Sequence, residues 1–373
     1  MIVSEDVAKQ YLARYGLATP PGAPCSSPNE VRRLAEELGG DVVVKALIPA
    51  GGRGKAGGVR VCRLPAEAEE FSASILGKQL LGHRVDKVLV EKAIKFAAEV
   101  YASVVTNTTI AKVDLMVSFS GGMEIENLVQ RDAGLVKLLT VEPGDILPVY
   151  RVQKWLGEQG SEGLAHVLAS LYQAAADLDA NLLEINPLAQ TEDGNYVILD
   201  CKLEVDENGL SRHPRLKAIY EAGLNQQETR ARQLALSYVP LGGNIGVLTS
   251  GAGLGMMTVD LLHDSGLMAS NFLDTGGGIS ENQVCGALEL LLDQSDVRGV
   301  IINLYGGINR MLEAAKGIEA GVLKNTKHCP IVVKVLGNQQ EEAWALLEKL
   351  PDVHVVKVVQ TETAVDKLAE LVR

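Results

Sequence analysis

From about residue 240 onward, runs of Val, Ile and Leu recur at 244–248, 271–273, 299–304, 331–335 and 353–358. Between and after them lie helix-length stretches at roughly 253–265, 280–293, 309–322, 339–349 and 362–372. Few arrangements satisfy that order. Short apolar strands alternating with amphipathic helices predict a parallel, doubly wound sheet with helices on both faces. The loops after the first three strands are Gly-rich: Ser250-Gly251-Ala252-Gly253, Thr275-Gly276-Gly277-Gly278 and Gly306-Gly307. Ligands of such sheets bind at the carboxyl ends of the strands, where these loops fall.

The first 225 residues are less regular. Strands are expected at 41–46, 59–62, 87–91, 97–106, 113–118, 181–186 and 195–202, and helices at 5–15, 28–38, 65–77 and 163–178. That half reads as α+β with antiparallel pairs (1–225), residues 225–240 as a joint, and 240–373 as the second domain. The length of 373 residues suits two domains. With aromatics at 4%, both cores must be built from Leu, Val, Ile and Ala. A net charge of −12 argues against nucleic acid as a partner, because phosphate-backbone binding needs a basic surface. A nucleotide in a locally basic pocket stays open. The five cysteines are scattered without CxxC spacing, the start shows no basic region leading into an apolar run, and no apolar stretch is long enough to span a membrane. Cytoplasm is the expected compartment.

Two constellations point to phosphate chemistry. Residues 50–58, Ala-Gly-Gly-Arg-Gly-Lys-Ala-Gly-Gly, follow a Val-rich strand. Their glycines leave backbone N–H groups free to approach anionic oxygens, with Arg53 and Lys55 among them. A hairpin tip with solvated charges is the plainer alternative. Lys45, at the end of that strand, needs an anionic partner. The second constellation is a hairpin about Glu192-Asp193-Gly194-Asn195. Folding there sets Asn186 near Asp200 and Glu184 near Lys202. Alternation then sends Leu183, Ile185, Leu199 and Cys201 to the core and the four polar residues to the other face. An amide oxygen opposite a carboxylate suits Mg²⁺, which takes one or two protein oxygens and fills its shell with water and phosphate. An ordinary solvated face is the competing reading, and Pro187 threatens the register.

Glu91 and Glu99, flanking a connector, are candidate acceptors for a ribose or base amine, or solvated loop charges. Gly251-Ala252-Gly253-Leu254-Gly255 departs from GxGxxG, yet Asp274 stands about 20 residues on, so a nicotinamide-binding dehydrogenase survives the spacing. The triple glycine after Asp274 argues against it. None of the six histidines falls in a metal-like or triad-like pattern.

These segments together resemble the β subunit of succinyl-CoA synthetase nearly end to end. The strings that carry the resemblance are AKQYLARYGL, VVKALIPAGGRGKAGGV, GGMEIE, LLEINPL, ILDCKL, GNIGVLTSGAGLGMMTVD, NFLDTGGG and NLYGGINR. The resemblance implies an α/β chain: an N-terminal ATP-grasp module followed by a flavodoxin-like CoA-ligase domain. It implies that Lys45, Gly52, Arg53 and Gly54 bind nucleotide phosphates, with Glu91, the Ile94 backbone and Glu99 around base and ribose. It assigns Mg²⁺ to Asn186 and Asp200, and to Glu184 the steadying of a phosphohistidine brought by an α subunit. Ser250, Gly307, Ile308 and Asn309 fall where the family contacts its organic acid. The implied reaction phosphorylates a histidine of the partner from ATP, passes the phosphoryl group to the acid's carboxylate, and lets CoA thiol displace phosphate. The partner would carry the CoA site as well, in an αβ or α2β2 assembly.

Several positions depart from the family pattern. Pro49 stands where histidine is common, Ser250 replaces a usual asparagine, and Asn309 with Met311-Leu312 replaces valine and Cys-Asp. The expected acid is therefore succinate or a related small anion such as malate or a sulfonated acid, chosen by Ser250 and Asn309. A stand-alone ATP-grasp carboxylate–amine ligase is the rival reading.

Overall fold

The computed structural model describes residues 1–122 and 133–372. The chain divides into two compact units, 1–220 and 221–373. Among the described residues no helix is long and apolar enough to cross a membrane.

Unit 1 holds strands β1 (Ile2–Val3), β2 (Gly22–Cys25), β3 (Val42–Ala46), β4 (Val59–Cys62), β5 (Gln79–Leu80), β6 (His83–Arg84), β7 (Val88–Lys92), β8 (Ala98–Asn107), β9 (Lys112–Ser118), β10 (Lys137–Val141), β11 (Ala180–Gln190), β12 (Tyr196–Ile198) and β13 (Cys201–Val205). Its helices are α1 (Glu5–Leu12), α2 (Pro28–Leu38), α3 (Pro65–Ile75), α4 (Val149–Leu156) and α5 (Glu162–Asp177), and α6 (Pro214–Gly223) runs across the division at residue 220. Two antiparallel sheets dominate: β2-β7-β3-β4, and β1-β13-β11-β8-β9-β10 with β12 on β11. Each expected strand and helix of this half is present. The 195–202 strand is split by Leu199-Asp200, and β1, β2, β5, β6, β10, α4 and α6 were not expected. β10 alternates half-buried and exposed positions on a sheet edge, a weak pattern.

The larger sheet shows one face to α4 and α5. On α5, Leu164, Leu168, Leu171 and Ala175 recur at helical spacing and are buried against Val100, Ala102, Leu183 and Ile185. Ser161 starts that helix by accepting the Leu164 N–H at 3.1 Å. The opposite face is the polar one, and it carries the candidate site.

Unit 2 contains α7 (Gln226–Gln233), β14 (Ser237–Pro240), β15 (Ile245–Thr249), α8 (Ala252–Asp264), β16 (Asn271–Asp274), α9 (Glu281–Leu292), β17 (Gly299–Arg310), α10 (Met311–Lys324), β18 (Ile331–Asn338), α11 (Gln340–Leu347), β19 (Val353–Val355) and α12 (Thr361–Val372). The parallel strands run β16-β15-β17-β18-β19, the 2-1-3-4-5 order of flavodoxin-like sheets. Separate apolar cores fill the two faces. Two features differ from expectation. The 225–240 stretch is ordered structure: α7 buries Ala231, and β14 pairs antiparallel with β16 from Ser237↔Asp274 to Pro240↔Asn271. β17 runs on to Arg310 instead of stopping at residue 304, because it keeps pairing with β18 through Gly306↔Gly337 and Arg310↔Asn338. A Cβ on Gly337 would sit 2.2 Å from the Gly306 carbonyl oxygen, so only glycine allows that approach.

Candidate active site

In unit 1 the polar hairpin folds in the register that its turn and alternation predict. Glu184 pairs with Lys202 and Ile185 with Cys201. The Asn186 N–H donates to the Asp200 carbonyl at 3.1 Å, and the Leu199 N–H donates to the Pro187 carbonyl at 3.1 Å. Pro187, which lacks a donor, thus contributes its acceptor, and the pairing survives it. Ile185 and Cys201 are buried and Leu199 is half-buried, while Glu184, Asn186, Asp200 and Lys202 share the other face. Asn186 Oδ1 also accepts the Gly122 N–H at 2.9 Å. Gly122 has φ +74°, and a Cβ there would meet Glu99 Oε2 at 2.2 Å, so a glycine brings Glu99 and Asn186 to the same corner. Of the GGMEIE string only Gly121 and Gly122 are described; residues 123–126 lie outside.

The Gly-rich segment is the connection between antiparallel β3 and β4, but its arginine is not solvated. Arg53 is 8% exposed. Its Nη2 donates to Glu5 Oε2 at 2.6 Å and to Asp200 Oδ1 at 2.7 Å, and its Nη1 to the Ala46 carbonyl at 3.1 Å. Lys45 Nζ reaches Glu5 Oε1 at 2.8 Å, Glu91 Oε2 at 2.7 Å and the Leu199 carbonyl at 2.5 Å. Lys9 Nζ bonds both Glu91 oxygens, at 2.6 and 2.8 Å, and the same carbonyl at 2.8 Å. The cluster therefore sets Lys9, Lys45 and Arg53 against Glu5, Glu91 and Asp200, and it ties the Gly-rich loop to the hairpin.

Lys45 thus has the anionic partners that its strand position demanded. All three of its donors are spent, so phosphates would have to draw it from Glu5 and Glu91. Glu91 is 3% exposed with both oxygens bonded, a counter-ion of Lys9 and Lys45 in this state. Gly52 and Gly54 are exposed in the loop; Ile94 and Glu99 are half-buried, Ile94 in the β7–β8 connector and Glu99 on β8.

Glu5 and Lys9 were not among the expected site residues. Their signal was present: with Ala8 and Leu12 they occupy one stripe of α1, the apolar one, where charges are out of place. Burial alone would raise the Glu5 carboxyl; Lys45, then Lys9 and Arg53, outweigh it and hold it at about 2. Burial and the adjacent Glu5 charge push Asp200 upward instead. An added cation would relieve that repulsion. The donor set of one amide oxygen and one 37%-exposed carboxylate, all hard oxygen, fits a magnesium ion that keeps water and phosphate ligands.

Removing one partner of a buried charge network strands the others, so Glu5→Gln is expected to destabilise unit 1 by about 3–5 kcal/mol at pH 7. Glu5 holds its proton less tightly when folded than the ordinary 4.5, so its contribution is complete above pH 4.5 and fades as pH falls toward 2. Denaturant melts of the two proteins should converge over that window. Parallel curves there would show that Glu5 does not carry the network.

In unit 2 the three expected loops meet at the carboxyl end of the sheet. Ser250 Oγ donates to the Tyr305 carbonyl at 3.2 Å and accepts the Tyr305 N–H at 3.1 Å. Asn309, 7% exposed, accepts with Oδ1 from the N–H groups of Gly278 at 2.9 Å and Ile279 at 3.3 Å. Asp274 Oδ1 accepts from Gly251 N–H at 2.6 Å and Gly276 N–H at 2.8 Å, so it braces two loops, as the triple glycine suggested, and does not await a ribose. Ser250 and Asn309 likewise shape loops; what Asn309 has left for a ligand is its Nδ2. Gly307 and Ile308 are exposed, Ile308 at 90%.

Family models match both units: an ATP-grasp domain over residues 3–190 and a CoA-ligase over residues 248–369. The sequence is 40% identical to the Thermus thermophilus protein named succinate–CoA ligase [GDP-forming] subunit beta, over 94% of each chain. It is 38% identical to the Chloroflexus aggregans succinate–CoA ligase [ADP-forming] subunit beta, over 93% of each. Among solved structures, ATP citrate lyase from Methanothrix soehngenii, in complex with citrate and coenzyme A, superposes with a TM-score of 0.79 over 99% of each chain at 17% identity. The fold is shared with that enzyme.

Proposed function

The chain belongs to the β-subunit family of succinate–CoA ligases, acid–thiol ligases, and we propose that it is the nucleotide- and acid-binding half of an ADP-forming enzyme completed by an α subunit. The observation that carries the reading is the hairpin register, which faces Asn186 and Asp200 together beside Glu184 and joins them to Arg53 and Lys45.

Phosphoryl transfer asks for charge neutralisation and alignment more than for covalent help. Lys45 and Arg53 take the negative charge of the nucleotide phosphates as these displace the carboxylates now holding them. Until the nucleotide arrives Glu5 and Glu91 hold those cations in place, and the Ile94 backbone and Glu99 line the base and ribose. Asn186 and Asp200 would hold Mg²⁺, which when bound adds cationic charge at the phosphates. Glu184 orients the partner's histidine. That histidine takes the terminal phosphoryl group as ADP leaves; the acid's carboxylate oxygen takes it next, freeing the histidine. CoA thiol then attacks the acyl carbon and phosphate departs. The acid sits at the loops of Ser250, Gly307, Ile308 and Asn309 and is succinate or a related small anion.

Purified chain, with and without a histidine-bearing α partner, should be assayed for thioester from CoA and a panel of acids, with ATP and GTP in separate arms. Thioester only in the mixture, with ADP as product, is expected. Turnover by the chain alone would overturn the subunit reading and favour a self-sufficient ligase, and preference for GTP would overturn the ADP-forming assignment.

A further inference from the structure

Unit 2 buries a positive charge with no matching negative one. Lys334, midway along β18, is 2% exposed. Among the described residues it forms no ion pair, and its hydrogen bond runs to Asn303 Oδ1 at 3.1 Å. The strand register sets Thr249, Asn303 and Lys334 side by side on one face of β15, β17 and β18. Asn303 Nδ2 in turn donates to Thr258 Oγ1 of α8 at 2.9 Å and to Thr361 Oγ1, the first residue of α12, at 3.3 Å. Every other member of this network is neutral. Burial makes Lys334 hold its proton less tightly, and the exposed Glu362 on the first turn of α12 opposes that only in part.

A neutral amide would hold Asn303 as well as an ammonium does, and an isolated buried charge is costly. The charge therefore has a use other than the bond. Its place suggests which. One step of two residues along β17 and β18, about 7 Å, leads from Asn303 and Lys334 to Tyr305 and Leu336, at the floor of the Gly-rich loops. The N-terminus of α8 opens there too, with the Asp274 carboxylate accepting its Gly251 N–H at 2.6 Å. Helix α12 also points its N-terminus at the network through Thr361, so its dipole adds to the positive field instead of cancelling it.

We infer that Lys334 is a positioning residue for the acid: from beneath the loops its fixed charge draws and orients the anionic carboxylate without touching it. The inference rests on the proposed function, which places the acid at those loops. One unit charge at about 10 Å (that step plus a contact distance), at an effective dielectric of about 20, changes the affinity for a monoanion about 15-fold.

The test uses the assembled enzyme with its α partner. Lys334→Gln keeps a donor for Asn303 and removes the charge; Lys334→Arg keeps the charge. KM for a small dicarboxylic acid should rise about 15-fold in K334Q and less than about threefold in K334R, with KM for ATP reporting separately on unit 1. Wild-type acid KM in K334Q, or equal rises in both variants, overturns the inference. Should K334Q not fold, the wild-type assembly labelled with 13Cε-lysine decides: acid should move the Lys334 titration midpoint upward and ATP should not. An unmoved midpoint also overturns it. Failure of the wild-type assembly to form any thioester would sink the proposed function instead, leaving the NMR titration with acid to judge Lys334.

Discussion

Asp200→Asn in the assembled enzyme is expected to slow ATP-driven phosphorylation of the partner's histidine by about 10³-fold while the protein stays folded, a magnitude at the upper end for losing one preorganised electrostatic group. Asp200 pairs with Arg53 at 2.7 Å, stands across the hairpin from Asn186, and is the most exposed carboxylate of the buried cluster. An amide can occupy the same space but cannot balance a cation. The fold survives because Arg53 keeps Glu5 at 2.6 Å and because the hairpin bond from Asn186 goes to the Asp200 carbonyl, which the change leaves alone. Asp206→Asn is the control. Among the described residues its carboxylate bonds only Asn208, outside the cluster. Phosphohistidine formation followed by rapid quench measures the effect, and wild-type rates in both variants would show that Asp200 does not serve the phosphates.

The hairpin was legible because two independent signals agreed. A Gly-containing turn fixed its register, and alternation of Leu and Ile with Glu, Asn and Asp fixed its faces. The parallel sheet was legible for a similar reason, since Val- and Ile-rich runs between amphipathic helices admit few topologies. The charge cluster was half legible. Lys45 at the end of a Val-rich strand announced a missing anion, while Glu5 and Lys9, four residues apart on a helix, look like an ordinary solvated pair unless their place on the apolar stripe with Ala8 and Leu12 is weighed. The end of β17 was not legible. Gly306-Gly307 reads as a stop, and the strand continues only because Gly337 on the neighbouring strand lets the Gly306 carbonyl come close. The segment before residue 240 was missed because a four-residue strand ending in Pro240 reads as a linker, and its strand character comes from pairing with β16.

That difference at β17 changes what Asn309 can do, and it leads to the second large effect. Placed at the end of an extended strand rather than in a helix, Asn309 turns its Oδ1 to the Gly278 and Ile279 N–H groups and leaves Nδ2 as its one group for a ligand. Asn309→Asp keeps an oxygen for those two N–H groups, so the loops stay braced, and sets a negative charge where Nδ2 stood. An anionic carboxylate about 4 Å away would be repelled by about 4 kcal/mol at an effective dielectric of 20, a loss of about 10³-fold in kcat/KM for the acid. Asn309→Ala, by contrast, leaves both N–H groups unpaired at about 1–3 kcal/mol each, loosens the loop, and should lower kcat/KM for every acid alike. The pair separates reading from bracing. Near wild-type kcat/KM in Asn309→Asp with a large uniform loss in Asn309→Ala would make Asn309 a brace alone, and the acid would then be read by backbone N–H groups of the loops. The expected result, a larger loss for the aspartate than for the alanine and largest for dianionic acids, would put the acid's charge against Asn309 Nδ2.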